Sequence, residues 1–369
     1  MKIYKNLFKQ IASLENLFAA WDNFKKDKRG KLDVQAFEFR LEQNIFQLHR
    51  DLLAKRYAHL PYSGFFICDP KVRHIHKAAV RDRVLHHALF QVLNPIFDKT
   101  FIPNSFSCRI DKGVHKGVLA LERMIRAESQ NYTRPCFVLK CDVQKFFDSV
   151  DHQILTNILK KKIVDSDTMW LLRQVIESFS TTRTNLFDRQ GLPIGNLTSQ
   201  LFANVYMNQL DQFLKHDLRI RYYVRYTDDF VVVSSDRTYL ENLVKPIRDF
   251  LGDKLRLQIH PKKISICACH KGVDFLGYIT FPHHRLLRRK TKRRIFRKIK
   301  ERIADYRNGI VSEGTLLASL QSYLGVLSHA SSYRLNQELR NQFWFWLHDE
   351  NLSLAAGSRG ARHSYFKRT

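Results

Sequence analysis

The spacing of apolar residues predicts helices in the first third of the chain. Apolar positions 7, 8, 11, 14, 17 and 18 repeat with helical spacing and predict a helix from Asn6 to Phe37. Further helices are predicted over 36–60, 81–95 and 111–129, with Pro61 and Pro95 ending two of them. The aromatic stretch between Pro61 and Pro70 is expected to be rich in turns.

The pattern changes at Cys136, where a short apolar run to Cys141 predicts a strand. The runs 221–226 and 230–234 predict two more strands, joined by a tight hairpin at Thr227-Asp228-Asp229. Strands are also expected over 258–269 and 273–281. Helices are expected over 151–162, 167–179, 197–217, 238–251 and, last, about 290–307, 313–328 and 333–347. This order predicts an α+β fold.

Composition excludes several classes of protein. With 44% hydrophobic and 12% aromatic residues, the chain is not mainly disordered or collagen-like. Apolar runs stay well short of the roughly 20 residues that span a membrane. The six cysteines form no disulfide framework, and Cys267-Ala-Cys269-His270 has too few ligands for structural zinc, so strand packing is expected there. We expect a soluble protein of a reducing compartment, with no membrane partner.

The charge is strongly positive and unevenly distributed. The formal net charge is +27, which favours a polyanionic partner such as nucleic acid, although a basic surface can also serve solubility alone. Residues 1–136 hold 24 basic and 13 acidic side chains, a net of +11, and residues 281–306 hold 11 and 2, a net of +9. Residues 137–280 are nearly balanced at +4 because they are rich in Asp. An acidic centre between basic flanks suits an enzyme that grips a phosphate backbone.

Three aspartates are the main candidates for chemistry. Asp142 ends a predicted strand, and Asp228 and Asp229 lie at the tip of a predicted hairpin. Gathered carboxylates repel one another unless divalent cations neutralise them, and hard oxygen ligands suit Mg²⁺. Two such ions can hold a 3′-hydroxyl, an α-phosphate and a leaving pyrophosphate in line. Asp-Asp is also common at ordinary hairpin turns, so the pair alone is weak support.

Together the motifs resemble those of reverse transcriptases. Cys141-Asp-Val-Gln-Lys-Phe-Phe-Asp148 and Tyr226-Thr-Asp-Asp229 resemble the two catalytic motifs of that family. Val273-Asp-Phe-Leu-Gly-Tyr278 resembles its primer-gripping hairpin. The resemblance implies a right-hand polymerase: N-terminal helices and fingers over 1–136, a palm over 137–284 with inserted fingers helices at about 153–185 and a primer grip, a helical thumb over 285–350 and a basic tail over 351–369.

The same resemblance implies roles for individual residues. Asp142, Asp228 and Asp229 would be catalytic and would bind two Mg²⁺ ions, or Mn²⁺, with the Val143 carbonyl near the second ion. Phe147 would be the steric gate that excludes a 2′-hydroxyl, although core packing is its ordinary alternative. The segment from Lys71 to Arg83 resembles the triphosphate-binding fingers of group II intron enzymes. The nucleotide-binding set would be Lys71, Arg73, Phe147, Ile194, Gly195, Gln200 and Lys262.

Basic residues would bind the template–primer in this reading. Either Lys262 or Lys263 would protonate the leaving pyrophosphate, and the sequence leaves that choice open. The motif at 107–113 and the basic run after 285 add a nucleic-acid-binding set: Arg109, Lys112, Gly277, Arg288, Arg289, Lys292, Arg293 and Arg297. A solvated surface charge is the alternative for each basic side chain.

One motif departs from most reverse transcriptases. Where the family has Gln-Gly-x-x-x-Ser-Pro, this chain has Ile194-Gly-Asn-Leu-Thr-Ser-Gln200, which resembles diversity-generating retroelements. Their reverse transcriptases, bacterial or phage-encoded, copy a template-repeat RNA with errors at adenines for mutagenic retrohoming, using dNTPs and a small basic pentameric accessory protein. Ile194 cannot report a mismatch by hydrogen bonding as a Gln could, so we expect low selectivity; neutral repacking is the alternative.

Two other interpretations stay open. A group II intron-like or retron-like reverse transcriptase is the nearest enzyme alternative. Ile194 and Gln200 argue against it, because they depart from the usual motif. The other is an RNA-binding or packaging protein with a polymerase fold that no longer catalyses. The intact Asp142, Asp228, Asp229 and Phe147 argue against it.

Overall fold

A computed structural model describes residues 2–69, 71–181 and 189–349. They form two compact units: residues up to Ala120 together with Phe137–Ile266, and Leu121–Cys136 together with the described residues from Cys267 on. Residues 121–136 therefore belong to the same unit as Cys267 and the described residues after it. The expected tail over 351–369 and residues 182–185 of the expected insertion lie outside the described residues.

The first unit begins with short helices rather than one long helix. They are α1 (Leu7–Ala12), α2 (Leu14–Lys25), α3 (Leu32–Phe39) and α4 (Leu41–Leu53). The predicted helix over 6–37 is interrupted at Ser13, whose extended backbone ends α1 and whose Oγ accepts the Asn16 N–H at 3.2 Å as the N-cap of α2. Trp21 and Phe24 of α2 are buried in the core of the unit.

Two expectations for the next segment were wrong. A hairpin, β1 (Ser63–Ile67) paired with β2 (Arg73–Lys77), occupies most of the predicted turn-rich stretch. All of β1 is exposed, so the sequence carries no alternation to reveal it. The helix α5 (Val80–Asp98) continues through Pro95, which lies in its last turn, where a missing N–H removes only one intrahelical bond.

The four-stranded sheet of this unit has the order β4-β5-β3-β6, with β3 (Phe137–Asp142), β4 (Tyr222–Tyr226), β5 (Asp229–Ser234) and β6 (Ser265–Ala268). The β4–β5 hairpin and β3 confirm the predicted strands. The predicted strand over 258–269 is shorter, because Pro261–Lys263 forms a 3₁₀ turn before β6. The residues of β5 between its ends are all buried, so this strand is part of the core.

Further helices precede β6 along the chain: α6 (Val114–Glu128), α7 (Phe146–Ser149), α8 (His152–Lys160), α9 (Ser166–Ile176), α10 (Leu197–Gln212) and α11 (Arg237–Leu255). A π-helical turn over Phe213–Asp217 ends α10. Most side chains of α10 are buried, and Oγ1 of Thr198, in its first turn, lies 2.7 Å from Nδ1 of His86 in α5. Burial lowers the pKa of His86 to about 3, so this ring is neutral at physiological pH.

The second unit contains, besides the second half of α6, a small sheet and the last three helices that the structure describes. Strands β7 (Val273–Phe275), β8 (Tyr278–Thr280) and β9 (Arg285–Leu287) form an antiparallel sheet in chain order. The predicted strand over 273–281 is a hairpin, since Leu276 and Gly277 have φ of +50° and +91° and form a two-residue turn.

The three predicted C-terminal helices are confirmed as α12 (Arg289–Arg307), α13 (Glu313–Ser328) and α14 (Tyr333–His348). Ile295, Ile299 and Ile303 form one buried stripe of α12 that packs with leucines of α13 and with Phe343. Among the helices described, none is both long and apolar enough to cross a bilayer.

Candidate active site

Strand pairing brings the predicted catalytic aspartates together. In the antiparallel pair of β3 and β5, Asp142 stands opposite Asp229. The turn between β4 and β5 is formed by Thr227, whose φ is +56°, and Asp228. The Val143 N–H donates a hydrogen bond of 3.2 Å to the Asp228 carbonyl. The three aspartates therefore lie at one end of the central strands of the sheet.

The backbone after Asp142 is held by the segment that leads to the 3₁₀ turn. The His260 N–H donates to the Asp142 carbonyl at 2.8 Å, and the Gln144 N–H donates to the Gln258 carbonyl at 2.8 Å. These bonds bring Lys263 to the site, where its Nζ donates to Asp142 Oδ1 at 2.5 Å. Lys262, expected among the nucleotide-binding residues, is exposed and next to this contact. Of the two lysines, Lys263 is therefore the one that contacts a candidate catalytic aspartate.

The electrostatics of the site reflect crowded carboxylates. Burial and the nearby Asp142 carboxylate raise the pKa of Asp228, while Lys263 and Arg73 oppose that rise. Lys140 Nζ lies 3.7 Å from Asp229 Oδ2. In the described ranges, no three His, Cys, Asp or Glu side chains are gathered as a ready metal site. Lysine ammonium groups instead neutralise two of the carboxylates.

The β1–β2 hairpin supplies a positive charge near the aspartates. Arg73 begins β2, is exposed, and acts on the pKa of Asp228 through its charge. Lys71 is exposed just before this strand. The hairpin rests on the loop before α10, because the His76 N–H donates to the Ile194 carbonyl at 3.1 Å.

Gly195 permits this close approach. Its φ is +120°, and a Cβ built on it would lie 3.0 Å from Cγ2 of Ile75 in β2. Only glycine adopts such a backbone conformation without strain. The loop is also bonded to α7, since the Leu192 N–H donates to the Phe147 carbonyl at 2.6 Å. Phe147, Ile194 and Gln200 are each half-buried around this loop.

Arg109, which was expected to bind nucleic acid, makes its contacts within the fold. Its guanidinium pairs with Asp98, with Nε to Oδ1 at 2.6 Å and Nη2 to Oδ2 at 3.2 Å. The remaining N–H groups donate to the carbonyls of Asp98, Ile102 and Ser105. Every guanidinium N–H is therefore used within the fold, and only 8% of the side chain is exposed. Lys112 donates to the Pro103 carbonyl at 2.8 Å and stays partly exposed.

The other predicted nucleic-acid-binding residues belong to the second unit. The Gly277 carbonyl accepts the Arg288 N–H at 3.0 Å, and the Arg288 side chain pairs with Asp274. Lys292 pairs with Glu338 at 2.9 Å. The exposed members of the set on α12 are Arg289, Arg293 and Arg297. This helix therefore presents a basic surface whose individual charges are partly compensated.

Sequence reasoning missed Arg225, which is fully buried in β4 and paired with Asp211. The available signal was a single charged residue inside a strand expected to be interior, since such a residue needs a buried partner. The pairing partner on α10 was not visible from the sequence.

Comparison with known proteins identifies a family and several relatives of this chain. A family model described as "Reverse transcriptase (RNA-dependent DNA polymerase)" matches residues 69–280. Protein YkfC of Escherichia coli is 26% identical over 289 residues, covering 69% of this chain and 74% of that protein. The group II intron-encoded protein LtrA of Lactococcus lactis is 20% identical over 351 residues, covering 75% of this chain and 57% of LtrA. The chain spans only 29% of a third relative, the putative COX1/OXI3 intron 2 protein of Saccharomyces cerevisiae.

Proposed function

Because the chain belongs to the reverse transcriptase family and is thus an RNA-directed DNA polymerase, we propose that Asp142, Asp228 and Asp229 form its catalytic centre. The observation that carries this proposal is the register of β3 and β5, in which Asp142 faces Asp229 beside the Asp228 turn. The substrates would be dNTPs and a primer annealed to template RNA.

The donor set fits divalent cations. Carboxylates are hard oxygen ligands, and burial together with the nearby Asp142 carboxylate raises the pKa of Asp228, so a cation would stabilise the charged form of this carboxylate. Asp142, Asp228 and Asp229 would hold two Mg²⁺ ions, with the Val143 carbonyl beside one of them. When bound, Mg²⁺ supplies charge neutralisation and polarises the primer hydroxyl and the phosphates.

Other residues of the chain would bind and orient the nucleotide. Arg73 is suited to the triphosphate, because its planar guanidinium pairs with phosphate oxygens. Phe147 would lie beneath the sugar and leave no space for a 2′-hydroxyl. Lys263, already on Asp142, is the better candidate for donating a proton to the departing pyrophosphate. In this proposal the first unit contains fingers and palm, and α12–α14 form the thumb.

For the biological task, we propose error-prone copying of a template-repeat RNA in a diversity-generating retroelement, with a small basic accessory protein as partner. The support is the Ile194-Gly-x-x-x-Ser-Gln200 pattern. Ile194 is half-buried next to the hairpin that carries Arg73, and its side chain offers shape but no hydrogen bond to a nascent base pair. A group II intron-like reverse transcriptase is the second candidate, favoured by the likeness to LtrA.

Primer extension on RNA tests both the polymerase activity and the proposed error-prone copying. With dNTPs and Mg²⁺ the wild type should make DNA, and Asp228→Ala should make none. Sequenced products should carry errors opposite template adenine, and Ile194→Gln or Ile194→Asn should reduce them. Faithful copying by the wild type would favour the group II intron-like function. No synthesis by the wild type, even with its RNA and accessory protein, would overturn the polymerase proposal and favour a protein that only binds RNA.

A further inference from the structure

A buried ion pair lies directly behind the Asp228 turn. Arg225 in β4 and Asp211 in α10 have fully buried side chains. Arg225 donates from Nε to Asp211 Oδ1 at 2.7 Å and from Nη2 to Oδ2 at 2.6 Å. The Tyr223 hydroxyl donates to the same Oδ1 at 2.8 Å. Asp211 thus fixes the plane of the guanidinium.

The rest of the guanidinium is directed at the turn. Arg225 Nη1 donates to the Thr227 carbonyl at 2.9 Å, and Nη2 donates to Ser105 Oγ at 3.1 Å. Thr227 Oγ1 donates to Ser107 Oγ at 2.5 Å. The residue that immediately precedes Asp228 is therefore held through both its carbonyl and its hydroxyl.

The conformation of Thr227 explains why such support is needed. At φ +56° this β-branched residue lies in the left-handed region, which such side chains rarely adopt. Residues of this kind persist only where their surroundings determine the conformation, and they concentrate at functional sites. Stability alone is a weak explanation for such a pair, since well-packed apolar residues can often replace a buried ion pair at little cost.

We propose that Arg225, oriented by Asp211, is a positioning residue that fixes the Thr227–Asp228 turn and thereby the Asp228 carboxylate relative to Asp142. This inference rests on the proposed function of the three aspartates. The guanidinium fork is essential, because one face pairs with Asp211 while another nitrogen reaches the Thr227 carbonyl. A lysine has a single nitrogen, so it cannot reproduce the two-point pairing with Asp211 together with the bond to Thr227 in this geometry.

The test compares variants that separate packing from positioning. Arg225→Lys keeps the buried charge, and the triple variant Arg225→Met, Asp211→Leu, Tyr223→Phe removes the ion pair and its hydroxyl partner together so that no buried charge is left unpaired. The matched control is Arg237→Met, which breaks an exposed pair with Glu241 on α11. Each variant is assayed for melting temperature, for kcat and KM with dNTPs, and for the rise in melting temperature given by Mg²⁺ plus dNTP.

We expect kcat of Arg225→Lys and of the triple variant to fall by about 100-fold, the size of effect that small misplacements of catalytic groups produce. KM for dNTP should stay within about threefold, and the rise in melting temperature with Mg²⁺ plus dNTP should shrink, whereas Arg237→Met should match the wild type. A folded triple variant with wild-type kcat would overturn the inference. The inference would also be overturned if activity in the variants fell only in proportion to the amount of folded protein. Failure of the proposed function is distinguished by a wild type that makes no DNA or an Asp228→Ala variant that does.

Discussion

The contact between Gly195 and Ile75 allows a quantitative test of how the hairpin controls nucleotide binding. In Gly195→Ala the new methyl would lie 3.0 Å from Ile75 Cγ2, well inside the 3.5–4.0 Å separation at which carbon atoms pack best. The Ile75 side chain, the hairpin that carries it and Arg73, or the loop backbone must then shift by a few tenths of an ångström.

The size of the effect follows from two contributions. An alanine at φ +120° costs on the order of 1–3 kcal/mol in backbone strain. Gly113 has φ +110°, but a Cβ added there would meet nothing within 4 Å, so Gly113→Ala carries the strain without the contact. If the contact displaces the hairpin at a cost of about 1.4 kcal/mol, the affinity for dNTP falls about tenfold.

Steady-state primer extension should therefore show KM for dNTP raised about tenfold in Gly195→Ala and within about twofold of wild type in Gly113→Ala. Adding Ile75→Ala to Gly195→Ala should restore most of the loss, with Ile75→Ala alone completing the double-mutant cycle. Equal KM values for the two alanine variants, or a double variant with no recovery, would refute the reasoning.

Three further predictions concern single side chains. Lys263→Met removes a charge that lowers the pKa of Asp228, so the acidic limb of the kcat–pH profile should move to higher pH, while Lys262→Met leaves it in place; an unmoved limb would contradict this. Phe147→Val should raise incorporation of ribonucleotides by about tenfold or more relative to deoxynucleotides, since it opens space at the sugar; unchanged selectivity would exclude the gate. His86 has a pKa of about 3 when folded against 6.5 unfolded, so the unfolded chain alone binds a proton between these values and stability falls as pH falls from 6.5. Between pH 6.5 and 5, urea denaturation should show that the free energy of unfolding falls by roughly 1.5–2 kcal/mol less in His86→Gln than in the wild type. An equal fall in both proteins would show that His86 is not responsible.

Local patterns predicted much of the fold because they report burial directly. Ile295, Ile299 and Ile303 recur every four residues, and they are the buried stripe of α12. The β4–β5 hairpin was visible as two apolar runs around a polar turn, and the predicted site rested on the aspartates at its tip and on Asp142 at the end of another predicted strand. The aspartates could be found because a strand end and a turn are both local features.

Two kinds of feature could not be predicted from the sequence: side-chain contacts between residues far apart along the chain, and a strand whose residues are all exposed. The contacts of Arg109 could not be predicted, because nothing local shows that the Asp98 carboxylate and three carbonyls accept from all its N–H groups. The choice between Lys262 and Lys263 depends on a 3₁₀ turn that rotates one of them to Asp142. Strand β1 has no inward face, so no periodicity marked it.

The pairing of β3 with β5 also has a consequence for how the enzyme matures during translation. Asp142 and Asp229 become neighbours only when a strand made early joins one made almost ninety residues later, and such non-local pairing is slow compared with helix formation. A nascent chain that has not yet extended through Ser234 cannot hold the two carboxylates together, however well its first helices have formed. Completion of the central sheet and the appearance of the candidate catalytic centre are therefore one and the same step.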